Sequence, residues 1–133
     1  MKTIALKPMS ICALTTLLAV GAALTVLTHP TPARADPASG KQTFTACAAC
    51  HSTTGSDGVG PHLDGVVGRK AGSVSGFNYS RAMKQANIVW DAKSLAAFIA
   101  DPQTAVPGNH MPFSGLQDPT QRADVIAYLQ TLH

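Results

Sequence analysis

The chain has 133 residues, of which ten are Lys or Arg and seven are acidic, all of them Asp, for a formal net charge of +3. That length suits one small domain, and the chain lacks the basic stripe that marks a nucleic-acid-binding surface. Only 5% of the residues are aromatic, so protein side chains alone would build a thin core.

Lys2 and Lys7 form a basic start, residues 11–27 an apolar run, and Ala33-Arg34-Ala35 a small-x-small site before Asp36. Together they describe a cleaved secretory leader over residues 1–35. A retained anchor is the alternative, but it takes about 20 apolar residues, and this run ends at Thr28-His29-Pro30. Cys12, Lys2, Lys7 and Arg34 leave with the leader, so ten basic residues become seven against seven aspartates in residues 36–133. The mature surface is near neutral and no second long apolar run follows, which predicts a soluble domain delivered to the periplasm. A domain of this size buries about 60–70% of its unfolded surface.

Asp36-Pro37 opens a helix, with Asp as the cap and Pro at the first helical position. The helix is predicted to run through Gly40 and Phe44 to the cysteines. Gly40 is either a point of close helix crossing or a glycine tolerated at some cost. Next comes Cys47-Ala48-Ala49-Cys50-His51. Two thiols at i, i+3 share one face of a helix, where each can form a thioether to one vinyl group of a haem, with His51 under the iron. The spacing reads as c-type haem attachment. Half a zinc site would need two more ligands at finger or ribbon spacing, and a thioredoxin-like pair would need a strand and helix beside it. A disulfide between Cys47 and Cys50 closes too short a loop to stabilise much and leaves His51 unexplained. A flat apolar macrocycle would also supply the missing buried area, at about 25 cal/mol per Å².

Residues 52–60 carry three glycines and no apolar period, which predicts a loop. If His51 binds iron through one ring nitrogen, the other must donate to a fixed acceptor. The carbonyl of Pro61, held by a rigid residue, is the candidate; without the cysteine motif Pro61 reads as a plain turn proline. Residues 73–76 form a loop, and Ser80 caps a short helix through Arg81, Met83 and Gln85. Asp91 caps the next, whose Leu95, Phe98 and Ile99 form an i, i+3, i+4 stripe ending before Pro102. Residues 106–116, with two prolines and two glycines around Met111, read as an extended loop. Asp118-Pro119 opens the last helix, with Val125, Ile126, Leu129 and Leu132 as its buried face.

Taken in order, these pieces resemble the class I cytochromes c, in the branch that holds mitochondrial cytochrome c and bacterial cytochrome c2. The resemblance covers essentially all of residues 36–133. It rests on Gly40 with Phe44, the Cys47 to His51 motif, Gly60-Pro61, Gly68-Arg69-Lys70, Gly76-Phe77-Asn78-Tyr79-Ser80, Trp90, residues 107–113 around Met111, and Arg122 to Leu129.

The resemblance implies an all-α cytochrome c fold wrapped around one haem c, bound covalently through Cys47 and Cys50. It implies His51 and Met111 as the two axial iron ligands, since a lone loop methionine is otherwise packing or surface. A thioether opposite imidazole raises the reduction potential, and two protein ligands leave no open site on the iron. It further implies that Arg69, Tyr79 and Trp90 serve the haem propionates, because carboxylates at the edge of an apolar cleft need donors; for Trp90, core packing is the alternative.

The implied role is a soluble periplasmic electron carrier, not an enzyme. It would act as a monomer in transient contact with membrane complexes, taking electrons from a bc1-type complex or a dehydrogenase and passing them to an oxidase or similar acceptor. A haem enzyme or gas sensor with a dissociable distal ligand is the rival reading. The chain departs from the family at Phe98, where a tyrosine is common, at Met83, where an asparagine is common, and at Asn109 and His110, which replace a threonine and a lysine.

Overall fold

The structure is a computed structural model that describes residues 34–133; the expected leader lies, through residue 33, outside the described residues. In chain order the helices are α1 (Pro37–Thr43), α2 (Thr45–Ala48), α3 (Arg81–Gln85), α4 (Ala92–Ala100), α5 (Pro102–Ala105) and α6 (Pro119–Leu129). Among the described residues no helix is long and apolar enough to cross a membrane.

The same dipeptide starts three of these helices. Asp36-Pro37, Asp101-Pro102 and Asp118-Pro119 each place a carboxylate on first-turn amides and a proline at the first helical position, where its missing N–H costs no intrahelical bond. Ser80 and Asp91 cap α3 and α4 as the sequence predicts, and Asp91 forms a reciprocal capping box with Ser94. The helix α5 was not expected: Asp101-Pro102 ends α4 and at once starts another turn.

The first helix also differs from expectation. Instead of running through to Cys50, it breaks at Phe44, and α2 ends at Ala48. Cys50 cannot continue the helix because its carbonyl accepts the Gly60 amide at 2.8 Å. Cys47 and Cys50 are still one turn apart, joined by the Cys50 amide donating to the Cys47 carbonyl at 3.1 Å. In the same way Leu132 belongs to the core but lies beyond the end of α6.

α1 packs across α6, and Gly40 is buried at the crossing. A Cβ there would overlap the Asp124 carbonyl and come within 2.9 Å of the Tyr128 Cβ, so glycine lets the two backbones meet. Phe44 then stacks obliquely on Tyr128, with ring centroids 5.3 Å apart. Val125, Ile126 and Leu129 of α6 join Leu95 and Phe98 of α4 in the buried core. Met83, which stands where the family often has asparagine, is buried in this apolar cluster. A short antiparallel bridge between Lys70 and Val89 fastens the loop after Arg69 to the segment before α4. There the Trp90 amide donates to the Arg69 carbonyl at 2.9 Å.

Candidate functional site

The core surrounds a cleft of about 420 Å³ whose wall is mostly apolar. Cys47, Cys50, His51, Pro61, Arg69, Tyr79, Trp90 and Met111, distant in sequence, all line it. Phe98 and Leu95 of α4 and Val125 and Leu129 of α6 form part of the same wall. Val59, 77% exposed, lies at its rim.

His51 is fixed at the wall. Its Nδ1 lies 2.7 Å from the Pro61 carbonyl oxygen. A carbonyl can only accept, so Nδ1 carries the proton and Nε2 keeps its lone pair for a metal. Gly60 closes over the ring: a Cβ at this position would come within 2.7 Å of Nδ1 and 2.8 Å of Nε2. Any larger residue would displace the imidazole.

Met111 sits half-buried in the loop that follows α5, and its position is set by Asn109. The Asn109 side chain is only 6% exposed. Its Nδ2 donates to the Pro102 carbonyl at 2.7 Å and to the Val106 carbonyl at 2.9 Å, while its Oδ1 accepts the Met111 amide at 2.8 Å. The Gln103 side chain adds a donor to the Asn109 carbonyl at 3.1 Å. The Pro107-Gly108 turn is closed by the Asn109 amide donating to the Val106 carbonyl at 3.1 Å. In the sequence Asn109 stands out only as a departure from the family pattern. The available signal was an asparagine following Pro-Gly, since Asn side chains accept from the backbone two residues on.

Arg69 donates from Nη1 to the Asp64 carbonyl at 3.1 Å and from Nη2 to the His62 carbonyl at 2.6 Å. These bonds hold the segment after Pro61, and the guanidinium's other N–H groups are left for an anion. Burial pushes the Tyr79 hydroxyl above its ordinary pKa, opposed in part by the Val74 amide and the Arg69 charge, so Tyr79 remains a protonated donor at neutral pH. Trp90 is buried against Phe98 with centroids 5.1 Å apart.

Cys47 and Cys50 are free cysteines. Burial, with a smaller contribution from Cys50, pushes the Cys47 thiol up. Among the described residues no group of three or more His, Cys, Asp or Glu could hold a metal ion. His51 and Met111 line the same cleft, and an imidazole with a thioether is a donor pair that suits an iron already held in a macrocycle.

The shape agrees. A large flat apolar group would suit this mostly apolar wall, with the Cys47 and Cys50 thiols available to tether it and the Arg69, Tyr79 and Trp90 side chains in the lining as potential donors to peripheral carboxylates. The donor set fits a haem.

Comparison with known proteins agrees with this geometry. Residues 37–133 match the cytochrome c family. Cytochrome c2 of Rhodomicrobium vannielii is 48% identical over 116 residues, covering 86% of this chain and 92% of that one. Cytochrome c2 iso-2 of Magnetospirillum molischianum is 50% identical over 67% of this chain and 93% of its own length. The solved structure of cytochrome cH from Methylobacterium extorquens superposes with a TM-score of 0.70 at 45% identity, covering 72% of this chain and 98% of that one. On sequence and fold together, the chain belongs to the cytochrome c family, in the class I branch that holds the bacterial cytochromes c2.

Proposed function

We propose that the chain is a single-haem electron carrier that works in the periplasm after loss of residues 1–35. The observation that carries this reading is the convergence of Cys47, Cys50, His51 and Met111 on one apolar cleft, with His51 held in a single tautomer by Pro61. A haem held there would supply an iron able to exchange single electrons.

The residues divide the remaining work. The Cys47 and Cys50 thiols would hold the group by adding across its two vinyl double bonds, each S–H proton going to a vinyl carbon as the thioether forms, so the group would not dissociate. His51 presents Nε2 to the iron, and the Pro61 carbonyl keeps its ring from turning. Met111 would supply a thioether ligand, which would favour the reduced state. Arg69, Tyr79 and Trp90 donate to the propionates, whose charge would otherwise be costly at the edge of an apolar space. If His51 and Met111 both ligated the iron, no open site would remain for a substrate, and the group would supply electron exchange without bond chemistry in a ligand.

The donor under this reading is a bc1-type complex or a dehydrogenase, and the acceptor an oxidase or similar protein, met by a monomer in short-lived contacts. Denaturing electrophoresis tests the attachment. Haem-dependent peroxidase stain should stay on the chain, and it should be lost when Cys47 and Cys50 are both replaced by Ala. Stain that runs free of the wild-type chain would contradict covalent binding.

A further inference from the structure

Asp124 on α6 is a buried carboxylate, 9% exposed, and among the described residues it forms no salt bridge. The salt bridge found among the described residues joins His62 to Asp57. The Asp124 Oδ1 instead accepts the backbone N–H of Asp36 at 2.7 Å. A carboxylate in this setting with only a neutral donor is costly, and nothing in the haem site calls for it.

The nitrogen it accepts from is not an ordinary one. Asp36 directly follows Ala33-Arg34-Ala35, the small-x-small pattern at the end of the leader. It is also the cap of the first helix, and the family match begins one residue later. We propose that the Ala35–Asp36 bond is the processing site, and that Asp124 is the built-in receptor for the α-ammonium group released there. This rests on the reading of residues 1–35 as a cleaved leader.

The chemistry is a peptide hydrolysis carried out by a leader peptidase. The C–N bond breaks, the water oxygen goes to the Ala35 carbonyl carbon to leave a carboxylate, and the Asp36 nitrogen leaves as an amine that takes up the protons. An α-amino group with an ordinary pKa near 8 is largely charged at neutral pH.

Nothing has to move for the new charge to be met, because 2.7 Å is already the length of a charge-assisted bond. A positive charge at a helix start is unfavourable by itself. Here the Asp36 carboxylate lies between, accepting the Ala38 and Ser39 amides at 3.0 and 3.2 Å. The pair forms where the Asp124 carbonyl covers Gly40, so one residue of α6 would grip α1 by both backbone and side chain. Processing would thus tighten the helix that leads through Phe44 to Cys47.

The test uses secreted, haem-loaded protein. One alanine is inserted between Ala35 and Asp36, so that processing after Ala35 leaves Asp36 with an amide nitrogen. The wild type and the insertion are compared with and without Asp124→Asn. Intact mass should place the wild-type N-terminus at Asp36. The wild-type folding constant should exceed that of the insertion by about five- to thirty-fold, and the difference should vanish with Asp124→Asn. A second measurement needs no Asp124 variant: an amine-selective reagent at neutral pH should label the wild-type terminus about ten-fold more slowly than the terminus of the insertion. A different mature mass would overturn the processing site. Equal labelling rates, or a stability difference that survives Asp124→Asn, would overturn the ion pair. An unchanged haem spectrum in these chains separates either failure from failure of the carrier reading.

Discussion

The Met111 amide donates to the side-chain oxygen of Asn109 at 2.8 Å, and the same side chain holds the carbonyls of Pro102 and Val106. One buried amide therefore connects the thioether loop to both ends of α5. Asn109→Ala would leave two carbonyls and an amide without these partners, which costs about 1–3 kcal/mol. The expected result is a lower denaturation midpoint together with faster cyanide binding to the oxidised protein, because Met111 is released more easily. An unchanged cyanide rate would show that other contacts hold the loop.

The Gly60–His51 contact gives a second prediction. In Gly60→Ala the new methyl presses on the imidazole and disturbs its bond to Pro61. Overpacking of this kind costs about 1–3 kcal/mol. A weaker bond at Nδ1 makes the imidazole a poorer donor, which disfavours the oxidised iron, so the reduction potential measured by voltammetry should rise. A potential that falls would contradict this use of the Pro61 carbonyl.

Much of this was legible in the sequence because the signals are local. Asp-Pro and Ser80 mark helix starts wherever they occur, and the Cys47 to His51 spacing holds its chemistry within five residues. The end of the helix before Cys50 was not legible, because it depends on the Cys50 carbonyl being taken by Gly60, ten residues away. Asp101-Pro102 was passed over because it had already served as a helix end. Asp124 looks like an ordinary polar residue on a helix; only the crossing at Gly40 buries it. The Lys70–Val89 bridge is too short to leave a period in the sequence. The eight candidate site residues were chosen by motif and resemblance, and their convergence on one cleft is a property of the fold.

The helix caps predict how stability responds to acid. The Thr104 hydroxyl, then its amide, hold the Asp101 carboxyl below its ordinary pKa, and the Ser94 amide, then its hydroxyl, do the same for Asp91. A depressed folded pKa means a contribution that is fully present above the unfolded value of about 3.9 and is lost as pH falls through the folded one. Asp101→Asn keeps a good cap without a titrating group. Its thermal midpoint should therefore fall less steeply than that of the wild type as pH is lowered below about 4. Parallel curves would show that this cap does not contribute to acid sensitivity.

Carbon monoxide added to the reduced protein at neutral pH tests most directly whether His51 and Met111 close both faces of the iron. The absorption spectrum of the wild type should not change, while that of Met111→Ala should shift on addition of the gas. A wild-type protein that binds carbon monoxide readily would have an open iron and would be a haem enzyme or gas sensor, not a carrier.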